Sequence, residues 1–204
     1  MFTSVKLVSR HLLATAVLLL AGVATLAAQG YQIGDRVEDF SLMGTDGELH
    51  SIADDAGEAG TVVVFTCNHC PYSVAYEDRL IALQNKLAPM GYNLIAINPN
   101  DPEIKPADSF DNMKVRAEEK GFNFPYVVDE GQQVYPKWGA TRTPHFYVVD
   151  AENTVRYIGA LDNETDASKV TTTYLEDAIE AIAAGRTPDP ATTKAIGCSI
   201  KAKS

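Results

Sequence analysis

The amino-acid sequence predicts an α/β fold with a central mixed β-sheet flanked by helices on both faces. A continuous, β-branched apolar run at residues 61–66 is typical of a strand that is buried on both faces. A helical pattern follows at 71–86, and a second buried-type strand follows at 93–98. Strand, helix and strand in this order form a βαβ unit, so we expect the two strands to be parallel.

The second half of the chain adds an antiparallel hairpin, which makes the predicted sheet mixed. Residues 145–149 read as a third buried-type strand, and after a turn the chain returns as a strand at 154–158. The other predicted elements are a short strand at 48–52, a polar loop at 54–60, helices at 109–120 and 171–184, an extended piece at 125–128, and one or two helical turns at 132–138. No linker divides the chain, so we expect one domain over residues 29–204 with a tail from about residue 186.

The first 28 residues are predicted to be an export signal. Lys6 and Arg10 form a short positive region, residues 12–23 are apolar, and residues 24–28 are mostly small, as a cleavage site requires. We therefore expect an exported protein, periplasmic or secreted. The alternative is that the segment stays uncleaved and anchors the protein to a membrane.

Charge and cysteine content limit the partners. The chain has 27 acidic and 17 basic residues, a net charge of −10, which becomes −12 without Lys6 and Arg10. Nucleic acid and anionic membrane surfaces require clustered Lys and Arg side chains, so we expect neither as a partner. Three cysteines are too few for a scaffold held by disulfides, but they suit a redox pair plus one extra thiol.

The motif Cys67-Asn68-His69-Cys70, between a strand and a helix, is the candidate catalytic site. Two cysteines at this spacing in this context are typical of thiol–disulfide exchange. We expect Cys67 to be the exposed nucleophile, its thiolate stabilised by the start of the helix, and Cys70 to resolve the mixed disulfide. We expect His69 to tune the reduction potential by stabilising the thiolate. The alternatives are half of a zinc site, an inert structural disulfide, and a histidine that only shapes the loop.

Two further features complete the candidate site. Thr143-Pro144 precedes a strand, and its backbone would bind an extended substrate if it faced the CxxC motif. Local sequence alone favours a trans peptide bond there, because only about 5–6% of X-Pro bonds are cis. Cys198 lies in the tail, and three interpretations are open. It is an extra redox thiol that reacts with the CxxC motif or with a partner protein, a small buried residue, or a residue without a role.

These features, in this order, resemble thioredoxin-like proteins of the redoxin branch (alkyl hydroperoxide reductase/thiol-specific antioxidant type) over about residues 31–184. The similar stretches are 34–42 with the turn at 44–47, 64–71 around the CxxC motif, 124–129, 135–139, and 143–150. The resemblance implies a thioredoxin-like fold and a cis bond before Pro144. The chain departs from the pattern at Thr66, where tryptophan is usual, and at Asn68-His69. A histidine before the second cysteine resembles the oxidising DsbA-type proteins.

The sequence therefore predicts a thiol–disulfide oxidoreductase that acts on protein or small thiols, needs no bound cofactor, and exchanges electrons with an upstream redox partner. A thiol peroxidase with Cys67 as the peroxidatic residue is an alternative, although Gly60 and Val64 stand where the peroxiredoxin pattern has proline and threonine. A second alternative is a metal-binding or metal-delivery protein that uses the CxxC motif and one histidine, His69 or His145. A third alternative is a binding protein with the same thioredoxin-like fold but without redox activity.

Overall fold

The computed structural model describes residues 30–203, and the predicted export segment lies outside them. The strands in this part of the chain are β1 (Leu42–Gly44), β2 (Leu49–His50), β3 (Gly60–Phe65), β4 (Tyr92–Asn98), β5 (Tyr126–Val128), β6 (Arg142–Thr143), β7 (His145–Asp150), β8 (Val155–Gly159) and β9 (Cys198–Ser199). The helices are α1 (Ile52–Asp55), α2 (Pro71–Leu87), α3 (Phe110–Lys120), α4 (Tyr135–Trp138) and α5 (Tyr174–Ala183), with single 3-10 turns at Ala88–Met90, Pro106–Asp108 and Ala167–Lys169.

Within residues 30–203, seven strands form the central sheet. Its two parts have the orders β2-β1-β5-β4 and β3-β7-β8. β4 pairs with β5 in parallel, whereas β3 pairs with β7 and β7 with β8 antiparallel, so the predicted mixed sheet is confirmed. The amide of Thr66 donates a hydrogen bond of 2.9 Å to the carbonyl of Ile97, which joins the end of β3 to β4. β6 and β9 form a separate two-stranded ladder.

Apolar cores lie on both faces of the sheet. Helices α2, α3 and α5 pack on one face, against side chains such as Val62, Val64 and Leu94. Helix α4, helix α1 and the stretch 31–42 cover the other face, against Val63 and Phe65. Because consecutive residues of β3 face opposite sides and each side is covered, the whole strand is buried, as its continuous apolar sequence predicts.

Most predicted elements are present, and two local differences have physical causes. The predicted strand at 48–52 is only two residues long, and the predicted loop that follows begins as helix α1. Ser51 caps that helix, since its hydroxyl accepts a hydrogen bond from the amide of Asp54. The second difference is the β6–β9 ladder, which forms between segments more than 50 residues apart and has no local sequence signal.

No helix within residues 30–203 is both long and apolar enough to cross a membrane.

Candidate active site

Cys67 and Cys70 lie where the central strand β3 ends and helix α2 begins. Cys70 immediately precedes the first residue of α2, and Cys67 lies two residues beyond the last residue of β3. Open α/β sheets place their chemistry at this carboxyl end of the strands. Both residues are buried, with 3% of Cys67 and 0% of Cys70 exposed. The expectation of an exposed Cys67 is therefore wrong for the arrangement seen here.

Thr143 contacts both sulfur atoms. Its hydroxyl oxygen lies 3.2 Å from the Sγ of Cys67, and its carbonyl oxygen lies 3.2 Å from the Sγ of Cys70. The peptide bond between Thr143 and Pro144 is cis, the isomer that the resemblance implies. Pro144 leads into β7, which pairs with β3 along its whole length. This pairing brings the residues before β7 to the CxxC motif, about 75 residues away in sequence.

Cys67 and Cys70 titrate as a pair. The hydrogen bond that the Cys67 thiol donates to Cys70, burial and the charge of Asp108 raise the pKa of Cys67. The hydrogen bond from Cys67 lowers the pKa of Cys70 to about 4, against the effect of burial. One proton therefore leaves the pair easily, and the other is held firmly. The Thr143 carbonyl oxygen can only accept a hydrogen bond, so its contact with Cys70 favours the protonated form and acts in the opposite direction.

Asp108 binds the loop between the two cysteines, and the sequence analysis did not identify it. Its Oδ1 accepts hydrogen bonds from the backbone amides of Asn68 (2.9 Å) and His69 (3.2 Å). Its Oδ2 accepts one from the side-chain amide of Asn100 at 2.8 Å. Only 1% of Asp108 is exposed. A polar loop follows β4, the strand beside β3, and the position of that loop at the carboxyl end of the sheet is the signal that would have identified Asp108.

His69 faces Asp108. Its Nδ1 lies 2.5 Å from the Oδ2 of Asp108. Any positive charge on the imidazole therefore lies beside a buried carboxylate. The charge of Asp108 also raises the pKa of Cys67, although its effect is smaller than those of the hydrogen bond to Cys70 and of burial. The sequence predicts a role for His69 alone, and the structure makes it one half of a pair with Asp108.

A metal ion could be held by the same residues. One ligand atom each from Cys67, His69 and Asp108 lies within 4.8 Å of the others. A structural zinc site needs four such ligands. His145, the other histidine considered from the sequence, belongs to no such group in the described part of the chain. It is buried, and burial lowers its pKa to about 4.

Cys198 lies at the site, although it is more than 120 residues from the CxxC motif. Strand β9 pairs antiparallel with β6 in a register that places Cys198 opposite Thr143. The neighbouring Cys198 thiol contributes to the lowered pKa of Cys70, after the larger effect of Cys67. Thr143, the expected substrate-binding residue, is thus already paired with the protein's own tail.

The fold and the CxxC motif define a thioredoxin-like protein, and comparison with known proteins gives its family. The sequence model described as the AhpC/TSA family matches residues 33–158, and the chain belongs to that family. It is 27% identical over 165 residues to the thiol-disulfide oxidoreductase ResA of Geobacillus thermodenitrificans (strain NG80-2), covering 73% of this chain and 86% of that protein.

Two solved structures resemble the whole domain. An uncharacterized conserved protein from Geobacillus kaustophilus is 37% identical, with a TM-score of 0.79 and coverage of 84% of this chain and 93% of that one. A hypothetical protein, SMc02350, from Sinorhizobium meliloti 1021 is 28% identical, with a TM-score of 0.79 and coverage of 86% and 97%.

Proposed function

We propose that this protein is a thiol–disulfide oxidoreductase whose redox centre is the pair Cys67 and Cys70. The observation that carries the proposal is the arrangement of the two thiols around Thr143: the sulfur of Cys67 lies 3.2 Å from its hydroxyl oxygen, and the sulfur of Cys70 lies 3.2 Å from its carbonyl oxygen. Their shared proton makes one thiolate available, and only a thiolate attacks a disulfide. The name of the curated relative and the family of the chain agree with this chemistry.

The reaction balances without a bound cofactor. One thiolate of the pair attacks a partner's disulfide, forms a mixed disulfide, and releases the partner's other sulfur as a thiolate. The second cysteine then attacks the mixed disulfide, forms the Cys67–Cys70 bond, and releases the partner's remaining sulfur. The partner takes up two electrons and two protons. In the opposite direction, a dithiol partner reduces the Cys67–Cys70 disulfide by the same steps.

A partner peptide binds along Thr143 and Pro144 in this proposal. A groove with a volume of about 260 Å³ runs beside Pro144 and is lined in part by Tyr72 and Ile196. Tyr72 is 38% exposed and Ile196 is 51% exposed. Exposed apolar side chains beside Pro144 suit a protein partner better than a small, charged thiol.

The site of action in this proposal is an oxidising compartment outside the cytoplasm. The support is the apolar N-terminal segment with its preceding Lys6 and Arg10, together with a cysteine count that suits catalysis rather than a disulfide scaffold. A second redox protein restores the oxidation state of the pair after each turnover. Retention of the N-terminal segment would attach the same domain to a membrane.

The test is exchange with a dithiol or disulfide partner. We expect wild-type protein to catalyse oxidation or reduction of a model protein substrate, Cys67→Ser and Cys70→Ser to lose turnover, and one of these variants to trap a mixed disulfide with the substrate. Ser73→Ala, which removes a hydroxyl 3.9 Å from the Cys67 sulfur but no thiol, is the matched control and should keep turnover. Unchanged exchange in both cysteine variants would refute the proposal. Rapid turnover of hydroperoxides without exchange would favour the peroxidase alternative.

A second candidate, metal binding, is favoured by the cluster of Cys67, His69 and Asp108. Zinc bound by the reduced protein at one ion per chain, and lost in both Cys67→Ser and Asp108→Asn, would support it. In that case, retained exchange by the metal-free wild-type protein would show that the metal is not needed for the redox reaction.

A further inference from the structure

The C-terminal tail, residues 186–203, follows a fixed path that ends over the candidate active site. The backbone amide of Ile200 donates a hydrogen bond of 3.2 Å to the carbonyl of Thr141, and the guanidinium group of Arg142 donates one of 3.0 Å to the carbonyl of Gly197. A Cβ atom at Gly197 would lie 2.1 Å from the carbonyl oxygen of Thr143. Only glycine allows this approach, so the tail contacts the backbone at Thr143 directly.

The end of the tail is held by the loops beside the CxxC motif. The backbone amide of Lys201 donates a hydrogen bond of 2.8 Å to the side chain of Asn100, and Gln132 donates one of 2.8 Å to the carbonyl of Lys201. Asn100 also donates a hydrogen bond to Asp108, which binds the loop between the cysteines. The tail and the CxxC loop therefore share one polar network.

The register of the β6–β9 ladder brings the third sulfur to the other two. Directly opposed residues of an antiparallel pair project their side chains to the same face. The hydroxyl of Thr143 contacts the sulfur of Cys67, and Cys198 is directly opposite Thr143. The carbonyl oxygen of Thr143 also lies 3.2 Å from the sulfur of Cys70, so Cys70 and Cys198 both neighbour Thr143, and the Cys198 thiol contributes to the lowered pKa of Cys70. Cys198 is also partly exposed, whereas Cys67 and Cys70 are buried.

We propose that Cys198 is a third redox residue, which attacks Cys70 in the Cys67–Cys70 disulfide and forms a Cys70–Cys198 disulfide. The Cys70–Cys198 bond forms as the Cys67–Cys70 bond breaks, and the proton of the Cys198 thiol passes to Cys67. The step is an exchange within one chain and needs no external oxidant. It rests on the function proposed above, because that reaction supplies the first disulfide.

The new disulfide would do two things. It would move the oxidised sulfur from the buried pair to a partly exposed position, where a partner reaches it more easily. It would also fasten the tail, which already pairs with Thr143, so that a peptide could replace the tail there only after the disulfide is reduced. The oxidised protein would thus have two forms. The tail is free to leave Thr143 in the form with the Cys67–Cys70 disulfide, and it is covalently held there in the form with the Cys70–Cys198 disulfide.

The test is disulfide mapping of the full chain. The protein is oxidised with glutathione disulfide, quenched in acid, alkylated and digested with trypsin. Cys67 and Cys70 lie together in the tryptic peptide that ends at Arg79, and Cys198 lies in the short peptide 195–201. A Cys67–Cys70 bond thus stays within one peptide, whereas a Cys70–Cys198 bond links two. We expect both products in wild-type protein and the linked peptides as the main product in Cys67→Ser.

A matched control moves the thiol by one residue. In the double variant C198S/S199C the sulfur projects from the opposite face of β9, so we expect the linked peptides to fall at least tenfold. Linked peptides at wild-type level in that variant would show that the contact is not specific, and their absence from both wild-type and Cys67→Ser protein would overturn the inference. Formation of the Cys67–Cys70 bond alone would leave the proposed function standing, whereas failure of any disulfide to form would count against that function.

Discussion

Asp108 holds His69 at two points: its Oδ2 lies 2.5 Å from the ring Nδ1, and its Oδ1 accepts a hydrogen bond from the backbone amide at 3.2 Å. The histidine inside the CxxC motif is thus fixed in position by a carboxylate that is only 1% exposed. The charge that His69 can bring to Cys67 is accompanied by an opposite one. The redox properties of the site should therefore depend on both residues.

Removal of the Asp108 charge should make the pair a stronger oxidant. After the hydrogen bond that Cys67 donates to Cys70 and after burial, this charge is the next largest cause of the raised pKa of Cys67. Asp108→Asn should stabilise a thiolate and hence the reduced form, and a tenfold change in the exchange equilibrium corresponds to about 30 mV. The measurement is equilibration with glutathione buffers at pH 7. Asp111→Asn, an exposed charge at the start of α3, is the control, and equal potentials in both variants would contradict the prediction.

Replacement of His69 should have the opposite effect. His69→Gln keeps a side chain that can bond to Asp108 but removes the group that can carry positive charge. If His69 stabilises the thiolate, the wild-type potential should lie nearer to about −120 mV than to about −270 mV, and the variant should be more reducing. The same glutathione equilibration measures both. A potential that is unchanged, or less negative, in His69→Gln would show that His69 only shapes the loop.

His145 should make the stability of the fold depend on pH. Burial lowers its pKa to about 4, compared with about 6.5 in an unfolded chain. Between these values the unfolded chain binds more protons, so the stabilisation is complete above pH 6.5 and decreases as the pH falls towards 4, by up to about 3 kcal/mol. Urea unfolding of wild-type and His145→Gln protein at several pH values measures this. The variant should lose much of the pH dependence, and parallel curves for the two proteins would contradict the assignment.

Gly197→Ala should uncover the thiols. The new Cβ would lie 2.1 Å from the Thr143 carbonyl oxygen, so the tail must shift. Overpacking of this kind costs about 1–3 kcal/mol, which corresponds to a roughly 5- to 150-fold higher population of the displaced tail. The alkylation rate of Cys67 and Cys70 in the reduced protein should rise accordingly. Ser199→Ala in the same strand should leave the rate unchanged, and an unchanged rate in Gly197→Ala would show that the tail does not protect the pair.

Arg116→Ala should destabilise the fold without acting on the sulfurs directly. Arg116 on α3 donates two hydrogen bonds, of 2.7 and 2.6 Å, to the buried carboxylate of Glu77 on α2. Lys120 lies 3.4 Å from the same carboxylate and still offsets part of its buried negative charge. We therefore expect the free energy of unfolding, measured with urea, to fall by about 2–3 kcal/mol. The double variant E77Q/R116A should be less destabilised than Arg116→Ala alone, because no unpaired charge remains buried. If the stability losses of Glu77→Gln and Arg116→Ala simply add in the double variant, the ion pair between Glu77 and Arg116 does not contribute to stability.

Glu77 also shows where a sequence pattern misleads. Glu77 and Asp78 are adjacent acidic residues on α2. Asp78 is exposed, but Glu77 is only 4% exposed and is held by Arg116. Helical spacing places both residues on α2, yet it does not say which side α3 will cover.

The sequence by itself determined the mixed α/β sheet, the strand–helix junction at Cys67 and Cys70, and the place of Thr143 before a strand. These features depend on local signals: apolar runs, helical periodicity, and the spacing of two cysteines by one turn. The tertiary structure alone decided that Asp108 holds His69, that both CxxC thiols are buried, and that Cys198 lies opposite Thr143. The physical reason is that each of these contacts joins segments far apart in sequence, whose meeting depends on the order of the strands and on the path of the tail.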